Sequence, residues 1–121
     1  MIKKLNISKE KITREDLAEY LARVLFYEIR NLVNSSQPQE IQNKLCDALD
    51  GAPDGVLGVQ LLHSYLMGTS YDLITKPDGS REYVRKQPED VSVIYDKTNE
   101  LIDYVNGLVS PASEKQPGAG E

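Results

Sequence analysis

Between Leu17 and Val33 the apolar residues recur three and four positions apart: Leu17, Tyr20, Leu21, Val24, Leu25, Ile29, Leu32 and Val33. That period lines one face of an α-helix and does not fit a strand, whose side chains alternate. Ala22, Phe26 and Tyr27 widen the apolar arc, so this helix is expected to be central and touched on more than one side. Its start is marked. Thr13 is a good N-cap, Asp16 three residues on stands where a capping box needs an acid, and Ile12 and Leu17 can form the hydrophobic staple.

The other elements are read around this helix. "NSSQPQ" breaks it, and Pro38 suits the first turn of a second helix over roughly 38–49, with Ile41, Leu45, Ala48 and Leu49 on one face. Gly51 is expected to close that helix as a left-handed cap. A third helix is expected from Pro53–Asp54 to Met67, apolar almost all round through Val56, Leu57, Val59, Leu61, Leu62, Tyr65, Leu66 and Met67, and ended by Gly68. A helix of that kind is buried, or is shared with a partner chain. Pro88 is read as the start of the last helix, with Glu89 and Asp90 near its positive end. Val91, Ile94, Thr98, Leu101, Val105 and Leu108 form its stripe, and Asn106–Gly107 is expected to fray or end it.

The stretch between helices three and four has a different period. In "DLITKPDGSREYVRKQ", Lys76-Pro77-Asp78-Gly79 supplies turn chemistry: Pro77 presets φ and Gly79 accepts a positive one. A type I turn followed by a left-handed residue makes a hairpin. With Lys76 opposite Ser80, Leu73 faces Tyr83 and Tyr71 faces Arg85. Tyr71, Leu73, Thr75, Arg81, Tyr83 and Arg85 then share one side, and Asp72, Ile74, Lys76, Ser80, Glu82 and Val84 the other. Neither side is cleanly apolar, and a lone two-stranded ribbon is marginal in water, so it has to dock on the helices or on a partner.

The expectation is a mainly α fold, a small four-helix domain with one β-hairpin inserted between helices 3 and 4. The alternative has helices 3 and 4 completing a bundle across a homodimer. An extended lead-in covers 1–12, the helical domain 13–109 with its hairpin at about 71–86, and a disordered tail 110–121, where the sequence is small, polar and rich in Pro and Gly. The 121 residues suit one domain. Cys46 is the single cysteine, so no internal disulfide framework forms. "MIKKLNISKEK" lacks the apolar run of a signal peptide, and no stretch approaches the ~20 apolar residues that span a bilayer. A soluble, cytoplasmic protein with no membrane contact is expected.

Charge narrows the function. The net charge is −5, but residues 1–14 carry five cations and one anion and residues 76–86 four cations and two anions. The remaining acidic body suits nucleic acid poorly, because phosphate neutralisation supplies most of that affinity.

The sets that carry chemistry are thin. His63 is the only histidine and sits beside Ser64; helical neighbours point about 100° apart and cannot form a nucleophile–base pair. Cys46 is expected to be a small buried thiol. Asp96, Glu100 and Asp103 share a face of the last helix, and a solvated acidic face explains them better than a cation, which would need oxygens from elsewhere. "GAPDGVLG" has Gly-x-x-Gly spacing but no nearby cation, so its glycines are read as a cap and as small residues at a close helix approach. No cofactor, metal or catalytic set is expected. The candidate partner-binding residues are Tyr71, Leu73, Lys76, Arg81, Tyr83, Arg85 and Lys86, where tyrosines interleave with cations. The expected function is non-catalytic protein interaction, as an adaptor, assembly factor or inhibitor. The alternative is a nucleic-acid or nucleotide binder using the basic hairpin 76–86.

Overall fold

A computed structural model describes residues 2–35, 39–69 and 71–109. Among them the chain forms four helices and one antiparallel hairpin, with the hairpin between the third and fourth helices. Helix α1 is continuous but not uniform: an α segment Arg14–Glu19, a π segment Tyr20–Leu25 and an α segment Phe26–Ser35. α2 is Gln39–Asp50, α3 Val59–Met67 and α4 Val91–Val109; the strands are β1, Tyr71–Thr75, and β2, Arg81–Arg85. The expectations for Pro38 and for the tail 110–121 lie outside the described residues.

α1 begins as its capping box dictates. The Asp16 N–H donates to Thr13 Oγ1 at 3.0 Å and the Thr13 N–H to Asp16 Oδ2 at 3.4 Å. The π segment then corrects a mismatch in spacing. Leu17, Leu21, Leu25 and Ile29 stand four apart, and a row of that spacing drifts by about 40° per step around an α-helix of 3.6 residues per turn. A π turn closes i→i+5 bonds and holds more residues, as where the Phe26 N–H reaches Leu21 O. The row stays aligned and all four side chains are fully buried. The widened arc follows only in part: Phe26 is half-buried against the core, but Ala22 is exposed and Tyr27 55 % exposed, and Val24 of the stripe itself is 42 % exposed. This corrects the expectation that α1 is covered there.

α1, α2, α3 and α4 all touch one another around a core that includes Leu45, Ala48, Leu62, Leu66, Ile94, Leu101, Ile102 and Val105. The inner apolar faces of α3 and α4 are thus packed against the chain's own helices, while Leu61 on α3 stays half-buried and Met67 is 37 % exposed. α3 also starts later than expected. Pro53–Gly55 is a separate 3-10 turn in which Asp54 has φ 47° and Gly55 φ 85°. The left-handed residues stand here rather than at Gly51, whose N–H simply bonds Asp47 O at 2.8 Å. α3 does end at Gly68, with φ 68°.

Two boundaries of α4 differ as well. The helix starts at Val91, not Pro88, because the Glu89 N–H is held by Tyr65 O at 2.9 Å and Glu89 O by the Arg14 guanidinium at 2.9 Å. It also continues through Gly107 to Val109. The lead-in docks along α4, antiparallel to it. Asn106 clamps Ile2 from both sides, accepting its N–H at 2.9 Å and donating to its carbonyl at 2.8 Å. Lys4 pairs with Asp103 at 3.1 Å, Lys9 with Asp96 at 3.2 Å, and the Tyr95 hydroxyl donates to Ile7 O at 2.8 Å. Lys4 and Lys9, two of the five cations of the N-terminal basic island, thus answer two carboxylates of the acidic face of α4.

Two tyrosines give the fold an alkaline limit. Burial, with the Glu28 charge second, pushes the Tyr20 hydroxyl up to about 12 from its ordinary 10.0. Burial, then hydrogen bonding to Asp54, does the same to Tyr104, also to about 12. The folded state therefore keeps phenol protons that the unfolded chain releases, so this stability is whole below pH 10 and lost toward pH 12. Urea titrations across that window should show a steeper fall for the native protein than for the Tyr20→Phe, Tyr104→Phe variant. Equal slopes would remove these residues as the cause.

Candidate interaction surface on the hairpin

The turn sets the register of the hairpin. The Gly79 N–H bonds Lys76 O at 2.9 Å and the Lys76 N–H bonds Ser80 O at 2.8 Å, with Gly79 at φ 90°. Asp78 locks the corner: its Oδ1 accepts from the Ser80 N–H at 2.9 Å and the Ser80 hydroxyl at 2.6 Å. These bonds hold the Asp78 carboxyl below its ordinary value, the Ser80 hydroxyl contributing most. Tyr71 pairs with Arg85, Leu73 with Tyr83 and Thr75 with Arg81, as the sequence predicts.

Every residue of both strands is exposed. Tyr71 is 59 % exposed, Leu73 48 % and Tyr83 72 %. The ribbon does not lie down on the helices; it is held at its base. The Arg85 Nε–H donates to Gly68 O, and the Arg14 guanidinium donates to Leu66 O. Two arginines thus meet carbonyls at the negative end of α3, whose own last turn has no basic residue. Arg14 carries no local sequence signal for this role, because its partners lie 52 and 75 residues away.

The register separates the hairpin's charges. Lys76 pairs with Glu82 at 3.3 Å and Lys86 with Asp72 at 3.4 Å. Both acids lie on the side that carries Ile74 and Val84. Tyr71, Leu73, Thr75, Arg81, Tyr83 and Arg85 occupy the other side, which holds two arginines and no carboxylate. Of the seven candidate residues the structure thus brings five together. Lys76 is on the opposite side, and Lys86 turns back to Asp72 and lies 5.2 Å from the centre of the Tyr65 ring. The hairpin's lysines are answered by its own acids, not by acidic helices.

No protein-family model, curated protein or solved structure matches this chain.

The other sequence candidates stay apart. Cys46 is exposed, which corrects its reading as a buried thiol. Its position on α2 falls between the buried Leu45 and Ala48, one step off their face. No hydrogen bond joins it to His63 among the described residues. His63 instead lines a shallow groove of about 320 Å³ with Phe26, Tyr27, Val59 and Ser64, beside the π segment that leaves Tyr27 outside the core. Among the described residues, no group of three or more His, Cys, Asp or Glu could hold a metal ion. No helix of theirs is long and apolar enough to cross a membrane.

Proposed function

We propose that this is a non-catalytic interaction protein of the cytoplasm that binds an acidic protein surface through one face of its hairpin. The observation that carries the reading is the sorting of charge. All the hairpin's carboxylates in the strands pair with lysines on one face, and the other presents Tyr71, Leu73, Tyr83 and two arginines to solvent. Tyrosine and arginine are the residues that most often dominate binding energy, since both bring large contact area with a polar end. Arg81 has no ion pair among the described residues, so a partner carboxylate would meet it without displacing an internal one. The lone exposed thiol suits a reducing compartment.

Arg81 and Tyr83 test the reading best, since Arg85 also holds the hairpin's base. Affinity capture from cell extract should recover a protein whose binding falls about tenfold or more with Arg81→Ala or Tyr83→Ala, and falls with added salt. Recovery that is the same for native and variant baits would sink the proposed face. The same tyrosine–arginine face also favours single-stranded nucleic acid as a second reading, with bases stacking on Tyr71 and Tyr83. Salt-dependent retention on a single-stranded DNA column, lost in Arg81→Ala, would move the assignment there.

A further inference from the structure

The docking face does not use the hairpin's edges, and the two edges are unlike. Lys76 and Ser80 bond inward across the ribbon. In an antiparallel pair inward-bonding residues alternate with outward ones, so Ile74 and Asp72 also bond inward, opposite Glu82 and Val84. Tyr71, Leu73 and Thr75 therefore turn their backbone N–H and C=O groups away from β2. Arg81, Tyr83 and Arg85 do the same along the far edge. No third strand covers either edge among the described residues. A two-stranded ribbon is marginal alone, and three or more strands are needed for independent stability. This one leaves Tyr71, Leu73, Ile74, Tyr83 and Val84 between 38 % and 72 % exposed.

We propose that the open edge of β1 pairs antiparallel with β1 of a second copy of this chain, giving a four-stranded sheet in the order β2–β1–β1–β2. The pairing arithmetic favours this occupant. Centring the two-fold axis on Leu73 pairs all five residues of the strand: Leu73 meets Leu73, Tyr71 meets Thr75 and Asp72 meets Ile74, with no like charges opposed. Leu73 bonds outward, so the axial pair exchanges both of its backbone hydrogen bonds. The same operation on β2, centred on Tyr83, sets Arg81 against Arg85 twice, and like charges directly opposite are destabilising. Charged side chains on an edge strand are a common guard against pairing; β1 carries only Asp72, whose charge is already answered by Lys86 of its own chain. Pairing β1 with β2 of another copy would leave open edges and run on into a filament, whereas β1 on β1 closes. The dimer would also join two tyrosine–arginine faces into one platform. The edge pairing stands or falls apart from the partner-binding reading, because it uses backbone groups of β1 and not Arg81.

Light scattering of the full chain across a concentration series decides it. The native mass should climb from 13.6 kDa toward twice that value. Leu73→Pro removes an outward N–H while sparing the bonds to β2. It should stay monomeric throughout and keep slow exchange of the Lys76 and Ile74 amides. Should proline disturb the hairpin, Leu73→Glu sets two carboxylates on the axis and should weaken dimerisation at least tenfold. Arg81→Ala should dimerise as the native chain does. A native mass fixed at 13.6 kDa up to the solubility limit overturns the proposal, as does a dimer that survives Leu73→Glu.

Discussion

Gly58→Ala is expected to destabilise the fold by about 3 kcal/mol, a fall of roughly 10–20 °C in Tm for a domain of this size. Gly58 is not held at a positive φ; its backbone is extended, at φ −75° and ψ 169°. What it requires is space. The end of α2 comes down on it, and its N–H donates to Gly51 O. A methyl group there would run into the Gly51 carbonyl and lie 2.8 Å from Gly51 N and 2.9 Å from Ala48 O. All three are backbone atoms of a helix terminus and cannot rotate aside, so relief means moving α2 relative to α3. That movement would reopen the contacts of Ala48 and Val59, both in the core. Gly107 is the control. It lies inside α4 with open space around its Cα, and alanine there should stabilise by up to about 1 kcal/mol through helix propensity. Thermal and urea unfolding of both variants measures the difference, and a Gly58→Ala protein within about 0.5 kcal/mol of native would refute the close approach.

The features legible in the sequence are those set by neighbours a few residues apart. The capping box at Thr13, the turn at Lys76–Gly79 and the cap at Gly68 each depend on local backbone chemistry, and each stands where the residue types place it. The hairpin register follows from that turn, and with it the face shared by Tyr71, Leu73, Arg81, Tyr83 and Arg85. What could not be read locally was decided by distant partners. Pro88 looks like a helix start, but Tyr65 and Arg14 hold the backbone groups of Glu89, and the helix starts only at Val91. Pro53–Asp54 looks like another, but Asp54 adopts φ 47° and directs its carboxylate to the Tyr104 hydroxyl at 3.2 Å. The docking of the lead-in on α4 could not be read locally either, because the residue that clamps Ile2 is 104 positions away. The same limit applied to the site. The register already set Asp72 and Glu82 apart from Arg81 and Arg85; what spacing did not give was that Lys86 and Lys76 turn to pair with those two acids.

The π segment of α1 supplies the sharpest test of packing, because it changes which side chains the core contains. In a regular α-helix Val24 and Leu25 would both lie on the apolar arc that starts at Leu17, and truncating either would cost stability. With i→i+5 bonds through Tyr20–Leu25, Leu25 is fully buried and Val24 is 42 % exposed. Leu25→Ala should therefore cost about 3 kcal/mol, the transfer of its side chain plus the cavity left between α1 and its neighbours. Val24→Ala should change stability by less than about 0.5 kcal/mol, since it removes half-solvated methyls and improves helix propensity. Chemical denaturation of the two variants separates the geometries. Comparable losses at both positions would mean that α1 is an ordinary α-helix, and the row Leu17, Leu21, Leu25 and Ile29 would then have to drift across the core face. A large loss at Leu25 alone fixes the phase of the helix, and with it the placement of Tyr27 outside the core beside His63, at the rim of the groove between α1 and α3.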